Sequence, residues 1–277
     1  MFSLTPGKGQ ILLLFPLFLL GLMYYPVVVH LVTDWWTDAN YSHGFLMPLV
    51  AGYFLWQRRQ EVERALERPR PSSWGLLIVL GGMFLLILGQ VAGELYTQRI
   101  SLLVVLWGAS LFLFGWSLSR ILLFPFLLLL LAIPIPYVIY NSLTFPLKLL
   151  ASKIAAWSLS IIGVPTLREG NIIYIPNMTL EVADACSGIR SIISLLAMTV
   201  ILAYFVSGWL WRVLLVASAI PIAILTNALR IVGTGILSYH FGPEAARGFF
   251  HYFSGWLVFL LSLVILGGVL FLFRGRK

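Results

Sequence analysis

The stretch EVADACSGIRSIISLLAMTVILAYFV, residues 181–206, holds the only cysteine of the chain at the point where polar sequence becomes a long apolar run. That run has the length and hydropathy of a membrane-spanning helix, so we predict that Cys186 lies at the start of such a helix, at the water boundary. A helix start carries unpaired N–H groups and a partial positive charge, which favour a thiolate and any oxyanion formed beside it. Arg190, one turn further on, would add to that effect. The alternative is that this cysteine is only small apolar packing.

The composition indicates an integral membrane protein. Of the 277 residues, 60% are hydrophobic and 10% are charged, which leaves too few polar side chains to cover a fold in water. Apolar runs of about 20 residues recur along the chain, so we read the first as one span among several and predict no cleavable signal peptide. The net charge of +8 comes from basic residues clustered in short loops, which is the arrangement that orients membrane proteins. We therefore exclude nucleic acid as a partner. A single cysteine excludes an internal disulfide and a cysteine-rich metal site, and we predict neither a metal nor a cofactor.

The order of apolar and charged segments predicts an all-α integral membrane protein with about eight transmembrane helices and both termini in the cytoplasm. The basic segment 58–70 is assigned to the inside, and its interleaved glutamates and closing prolines predict a short solvated helix. Segment 33–42 is acidic and aromatic, has no Lys or Arg, and is assigned to the outside. We predict a short outer loop at 93–99 and a tight inner turn at Arg120.

Two segments before Cys186 differ from this pattern. Residues 137–164 are ambiguous, because Lys148 and Lys153 interrupt an amphipathic pattern that suits either a surface-lying or a re-entrant helix, and we favour the surface-lying or shallow one. The β-prone runs 171–175 and 178–182 flank a proline and predict a small extracytoplasmic β-hairpin before the Cys186 helix. No repeat or long linker divides the sequence, so we predict a single domain over residues 1–277.

The predicted topology brings three reactive side chains to the outer face: Cys186, Arg230 and His251. An arginine inside an apolar span is costly unless it faces a polar cavity or a partner, so Arg230 is a functional candidate. A histidine has the right pKa to take a proton from a thiol and return it to a leaving amine. The three groups supply the nucleophile, the acid/base and the oxyanion stabiliser of thiol acyl transfer. The alternatives are that Arg230 snorkels to the headgroups or pairs with Asp184 or Glu181, and that His251 is an ordinary interfacial residue.

A second set of polar residues is predicted to support this site or to bind substrate. Asp184 caps the Cys186 helix by default, and otherwise it orients His251 or holds Arg230. Asn227 belongs to a polar stripe around Arg230 on an otherwise apolar helix. His43 is predicted at the outer face, where it would bind substrate or cap a helix. The full supporting set is Tyr41, His43, Asp184, Ser187, Arg190 and Asn227.

Three motifs in this order, ACSGIRS (residues 185–191), NALRIVG (227–233) and GFFHYFSG (248–255), resemble those of the exosortase family. These proteins are multi-pass bacterial relatives of the archaeosortases, and the chain is most similar to the exosortase A type. The segment SHGF (42–45), before the second predicted span, also fits. The resemblance therefore extends over nearly the whole chain.

The resemblance implies a membrane cysteine protease and transpeptidase in which Cys186, Arg230 and His251 are the catalytic residues. Its substrates would be membrane-anchored proteins with a C-terminal sorting signal, made of a Pro-Glu-Pro motif, a transmembrane helix and a basic tail. Cleavage would take place at the periplasmic face of the bacterial inner membrane, in connection with exopolysaccharide production. Hydrolysis and transfer to an unknown acceptor both stay open. The alternative function is a transporter or flippase of a lipid-linked sugar, in which Arg230 binds phosphate and Cys186 has no chemical role.

Overall fold

The structure is a computed structural model that describes residues 8–176, 178–182, 189–246 and 249–274. The side chains of residues 8–14, 16, 17, 189–191, 245, 246, 249–254 and 274 are outside the described part as well. Five helices in the described part are long and apolar enough to cross a membrane: Phe18–Thr37, Trp74–Val91, Leu95–Phe114, Trp209–Phe241 and Gly255–Phe273. Two shorter apolar helices are Trp116–Leu131 and Ile192–Ala203. The chain is thus a mostly helical, multi-pass membrane protein, while the count of eight spans stays a prediction.

The chain divides into two compact units, Met1–Pro134 and Ile135–Lys277. The first contains a 3₁₀ helix at Ser42–Phe45 and the helices α1 (Lys8–Thr37), α2 (Leu46–Gln57), α3 (Arg59–Glu67), α4 (Trp74–Val91), α5 (Leu95–Phe114) and α6 (Trp116–Leu131). The second contains α7 (Tyr137–Ile161), β1 (Leu167–Glu169), β2 (Ile172–Ile175), β3 (Met178–Glu181), α8 (Ile189–Ala203), α9 (Trp209–Phe241), a 3₁₀ helix at Pro243–Ala246 and α10 (Phe249–Arg274). The single domain over residues 1–277 stays a prediction.

The closest helix pair of the first unit is α4 and α5, which pack through glycines. Gly75, Gly82 and Gly89 recur two turns apart on α4 and are all buried. A Cβ atom added to Gly82 would lie 2.6 Å from the Val105 Cγ2 methyl, and one added to Gly108 of α5 would lie 2.8 Å from the Val79 backbone nitrogen. Small residues of this kind let two backbones approach closely in an apolar medium, where no hydrophobic force drives helices together.

The ends of α5 correct two predicted turns. The Glu94 carboxylate accepts hydrogen bonds from the backbone N–H groups of Tyr96 (2.9 Å) and Thr97 (2.6 Å), so the helix starts at Leu95. Arg99 therefore lies inside α5 and not in an outer loop. At the other end, Gly115 adopts φ 77° and joins α5 directly to α6. The turn is made there because glycine tolerates a left-handed backbone, and the predicted turn at Arg120 is wrong.

The predicted short helix in the basic segment is confirmed as α3. It ends at Glu67, two residues before Pro69, as expected from the missing N–H of proline and the restriction on the residue before it. Arg58 next to this helix donates to Glu61 at 2.6 Å, in an exposed ion pair of the kind that adds little stability.

In the second unit, α7 is one continuous helix, and it packs on a small sheet. The three strands are antiparallel in the order β1-β2-β3, and Ile175 pairs with Met178 next to the β2–β3 turn. The strands β2 and β3 occupy the segment for which the sequence predicts a hairpin, whereas β1 is not predicted. Leu159 of α7 and Ile173 of β2 are fully buried in one cluster. The predicted location of α7 and the sheet on the outer side of the membrane stays a prediction.

Helices α8, α9 and α10 form the other half of the second unit. Their shared apolar cluster includes Leu195 of α8, Leu215 and Ala219 of α9, and Leu266 of α10. A hydrogen bond from Ser262 Oγ of α10 to Thr226 Oγ1 of α9, 2.9 Å long, shows that these two residues lie at the same level of the helix pair. Consecutive helices joined by a short connection run antiparallel, so α10 returns along α9.

Candidate active site

A polar stripe on α9 carries Arg230. Thr226, Arg230, Thr234 and Ser238 recur every fourth residue and so lie along one face of the helix. Thr226 Oγ1 donates to the Ile222 carbonyl (2.8 Å), Thr234 Oγ1 to the Arg230 carbonyl (2.9 Å). Ser238 Oγ lies 3.1 Å from Met178 Sδ of β3. Arg230 itself is half-buried within a helix long enough to span the membrane. Its backbone thus lies within α9 and not at a helix end.

Asn227 lies on the neighbouring stripe of α9, which is otherwise apolar. Ala219, Ala223 and Ile231 share this stripe at intervals of four residues, and all three are buried. Asn227 is 3% exposed, and its Nδ2 atom has no hydrogen-bond partner in the described part of the chain. The amide therefore stands where two apolar clusters of the second unit meet.

Strand β3 leads the chain along α9 toward Arg230. Met178 contacts Ser238, and Leu180 would contact a Cβ atom placed on Gly235 at 3.5 Å. Val182, the last described residue before the Cys186 segment, belongs to the same buried cluster as Ile231 and Val232. Strand β3 thus follows α9 backward, from the level of Ser238 to that of Gly235.

Helix α8 continues the chain after the Cys186 segment. Its backbone is described from Ile189, and Ile192 and Leu195 pack in the cluster that contains Ala219, Ile222 and Ala223 of α9. The described ends around residues 183–188 therefore belong to two apolar clusters, and α9 contributes residues to both.

Several predicted site residues lie outside this description. Asp184, Cys186 and Ser187 are not among the described residues, and Arg190 and His251 are described only as backbone positions, in α8 and α10. The meeting of Cys186, Arg230 and His251 thus stays a prediction.

The register of α9 against α10 sets the relative levels of Arg230 and His251. Arg230 lies one turn beyond Thr226, and His251 lies eleven residues before Ser262, the partner of Thr226. At about 1.5 Å per residue, the backbone of His251 is about 10 Å further along the pair than that of Arg230.

Tyr41 and His43 belong to the first unit. Tyr41 is buried, with its ring centroid 6.1 Å from that of His43. His43 Nε2 lies 3.4 Å from the Leu131 carbonyl at the end of α6, and its Nδ1 atom has no partner among the described residues. Burial lowers the pKa of His43, and its contact with the Leu131 carbonyl acts in the opposite direction. The histidine therefore contacts the end of α6 in its neutral form.

The 3₁₀ helix around His43 is fixed by Trp35. The indole Nε1 donates to the Ala132 carbonyl at 2.8 Å, and a Cβ atom at Gly44 would overlap the indole ring. A glycine is therefore required directly after His43. This packing is a structural role for the segment 42–45 that the sequence motif does not reveal.

Sequence analysis does not predict the ion pair between the buried Arg99 of α5 and the partly exposed Asp34 of α1. Arg99 is 2% exposed, and its Nη2 atom lies 2.7 Å from Asp34 Oδ2, while its Nε atom has no partner in the described residues. The available signal was Glu94, because a carboxylate that caps a helix before an apolar run predicts a start at Leu95. That start puts Arg99 inside the helix, where it needs a partner.

The described ranges contain no group of three or more His, Cys, Asp or Glu side chains arranged to hold a metal ion. The side chains that converge around Arg230 are instead those of hydrogen-bond donors. Arginine offers donors only, and the unpartnered atom of Asn227 is also a donor. The α9 face is therefore suited to an oxygen acceptor.

The apolar helices, together with an arginine held inside one of them, define a multi-pass membrane protein with a polar site on α9. Residues 35–268 match the family described as transmembrane exosortase. The match covers most of the chain, which therefore belongs to the exosortase family. Comparison with curated proteins and with solved structures gave no match. The A type within the family stays a prediction.

Proposed function

We propose that this protein is a membrane-embedded cysteine protease and transpeptidase that cleaves C-terminal sorting signals of exported proteins. Membership of the exosortase family supports the class of activity. The observation that carries the choice of site is that both described ends of the Cys186 segment belong to apolar clusters to which α9, the helix of Arg230 and Asn227, contributes residues.

We assign Cys186 as the nucleophile as part of this proposal. Residues 183–188 join Val182 to Ile189 at the start of α8, and the apolar clusters at both described ends include residues of α9. Arg230 belongs to the same helix, and a positive charge near a cysteine favours the thiolate. A thiolate, and not a thiol, is the species that attacks a carbonyl.

The reaction begins when His251 takes the proton of the Cys186 thiol and the resulting thiolate attacks the scissile carbonyl. A carbon–sulfur bond forms, and the carbonyl electron pair moves to oxygen, where Arg230 stabilises the negative charge. When the C=O bond reforms, the carbon–nitrogen bond breaks and His251 gives that proton to the departing amine. A thioester with Cys186 is left. Water or an acceptor nucleophile then attacks the thioester and gives its proton to His251, the carbon–sulfur bond breaks, and the proton returns to the sulfur.

The substrate class sets the orientation. A sorting signal with a Pro-Glu-Pro motif, an apolar helix and a basic tail would place its helix in the bilayer and its tail in the cytoplasm, according to the positive-inside rule. Cleavage would then occur at the periplasmic face of the inner membrane. We further propose about eight membrane spans, both termini in the cytoplasm and a role connected with exopolysaccharide production.

Trapping the thioester tests the proposal. Purified protein in nanodiscs is mixed with a fluorescent peptide that carries the motif, the apolar helix and the basic tail, and the covalent adduct is measured by mass spectrometry after acid quench. We expect an adduct that hydroxylamine cleaves, and none with Cys186→Ala. The matched control is Ser218→Ala on α9, about three turns before Arg230, which removes a 2.6 Å bond to the Leu215 carbonyl and should form the adduct normally.

The transporter or flippase alternative gives the opposite pattern. It predicts that Cys186→Ala leaves the cellular activity intact, that Arg230→Ala abolishes it, and that no adduct forms with thiol-directed inhibitors. Processing of sorting-signal substrates in cells that carry only Cys186→Ala would refute the nucleophile assignment.

A further inference from the structure

The side-chain amide of Asn227 is a buried donor without a partner. The residue is 3% exposed, and its Nδ2 atom makes no hydrogen bond within the described part of the chain. A buried polar group that has lost its water costs free energy unless it is hydrogen-bonded, so buried donors are nearly always satisfied. An exception of this kind calls for a ligand or a functional reason.

The hydroxyl groups next to Asn227, in contrast, have hydrogen-bond partners. Thr226, directly before Asn227, donates to the Ile222 carbonyl at 2.8 Å and receives a 2.9 Å bond from Ser262. Ser262 in turn has the Val258 carbonyl within 2.9 Å. An apolar residue at position 227 would continue the stripe of Ala219, Ala223 and Ile231 without leaving a donor unpaired. Packing alone therefore does not require an amide at position 227, because an apolar side chain would pack there equally well.

The position of Asn227 indicates what the amide binds. It lies three residues before Arg230, and residues at this spacing are neighbours on a helix surface. It also belongs to the helix that contributes residues to both apolar clusters at the described ends of the Cys186 segment. A neutral N–H donor one turn from an arginine suits an oxygen on which negative charge develops.

We infer that Asn227 is a further catalytic residue, whose Nδ2–H group donates a hydrogen bond, beside Arg230, to the oxygen of the scissile carbonyl. This inference rests on the proposed function. When the Cys186 sulfur bonds to the carbonyl carbon, the π electron pair passes to this oxygen, and the amide hydrogen bond strengthens as the charge grows. The bond weakens again when the carbonyl reforms and the amine leaves with a proton from His251. A preorganised donor of this kind costs no rearrangement at the moment of reaction.

The test compares Asn227→Leu and Asn227→Ala with wild type in the peptide assay. Removing one oxyanion donor lowers the rate about 100- to 1000-fold in enzymes of this type, so both variants should form adduct at saturating peptide about 100-fold or more slowly. The peptide Kd, measured by fluorescence anisotropy in a Cys186→Ala background, should change less than about threefold, because the bond is made chiefly in the transition state.

Stability separates a catalytic role from a structural one. Leucine has the same number of side-chain heavy atoms as asparagine and no unpaired donor, so Asn227→Leu should unfold at the same or a higher denaturant concentration, whereas Asn227→Ala leaves a cavity and should unfold earlier. Ser262→Ala is the matched control: it removes a buried hydrogen bond at the same level of α9 and should keep the acylation rate. If acylation rates follow stability across the three variants, the inference is wrong.

Two further outcomes overturn it. Adduct formation within about threefold of wild type in both Asn227 variants, or a loss that appears only in the peptide Kd, shows that the amide does not contact the oxyanion. Failure of the proposed function is recognised separately, since an adduct that persists in Cys186→Ala refutes the nucleophile, and the inference together with it.

Discussion

The glycine contact between α4 and α5 can be tested by two adjacent substitutions with opposite expected effects. Gly81 and Gly82 are neighbours in the middle of α4, but a Cβ atom at Gly81 would meet nothing within 4 Å. A Cβ atom at Gly82 would lie 2.6 Å from Val105 Cγ2, 3.1 Å from the Val105 nitrogen and 3.2 Å from Val104 Cγ1. Any difference between Gly81→Ala and Gly82→Ala therefore reports the helix contact, because the change in helix propensity is the same.

The two contributions can be estimated separately. Replacing glycine by alanine inside a helix stabilises it by about 0.5–1 kcal/mol through backbone entropy. Inserting a methyl group into a closely packed contact costs about 1–3 kcal/mol, because a neighbour must move. We expect Gly81→Ala to raise stability slightly and Gly82→Ala to lower it, a difference of about 1–3 kcal/mol.

The position of the obstructing atoms makes a finer distinction. At Gly82 the nearest atom is a side-chain methyl, so Val105→Ala should restore part of the lost stability. At Gly75 the new Cβ atom would fall on the backbone of Phe112 and lie 2.6 Å from the Gly108 carbonyl, and no side-chain deletion can relieve that.

The assay is equilibrium unfolding by SDS in mixed micelles, followed by far-ultraviolet circular dichroism. Equal midpoints for Gly81→Ala and Gly82→Ala would show that the two helices do not approach as described. Rescue of Gly75→Ala by a side-chain deletion on α5 would contradict the direct backbone contact.

The ion pair and His43 lead to the other two predictions. Asp34→Asn should destabilise the protein by about 1–3 kcal/mol, which is less than for a fully buried pair because the carboxylate is partly exposed. The double variant Asp34→Leu with Arg99→Leu should recover most of this stability, because neither charge is left unpaired. Equal stabilities of the single and the double variant would argue against the ion pair. Burial lowers the pKa of His43 from its ordinary value of 6.5, so the stability that its neutral form contributes is present above pH 6.5 and is lost as the pH falls through the lowered value. Unfolding of wild type and His43→Gln between about pH 8 and about pH 5 should therefore converge on acidification, and parallel profiles would contradict this.

The helix boundaries that could be predicted from sequence are those set by local chemistry. Proline ended α3 near Pro69 and kept α6 from passing Pro134, because a missing N–H and a restricted preceding residue act without tertiary contacts. The charge of Arg120 predicts the turn between α5 and α6 at that residue, but the turn lies at Gly115. Gly115 adopts φ 77°, and Arg120 lies inside α6.

Features that depend on long-range packing could not be predicted in the same way. Arg99 and Asp34 are 65 residues apart in the sequence. Strand β1 has only three residues, and it is a strand because it pairs with β2. For the candidate site, the sequence identified Arg230 and Asn227 as polar residues in an apolar helix. It could not show that the Thr226 hydroxyl is hydrogen-bonded while the Nδ2 atom of Asn227 has no partner in the described residues, since the partners of a buried amide depend on how other elements pack against α9.

The contact between α4 and α5 has a consequence for how the protein is made. Only residues 92–94 separate the two helices, so bringing them together loses little chain entropy, and their interface needs no other part of the chain. We expect the pair to enter the bilayer as a preformed hairpin during synthesis. The guanidinium of Arg99 would then cross into the apolar phase already positioned for the carboxylate at the end of α1, which has been inserted before it.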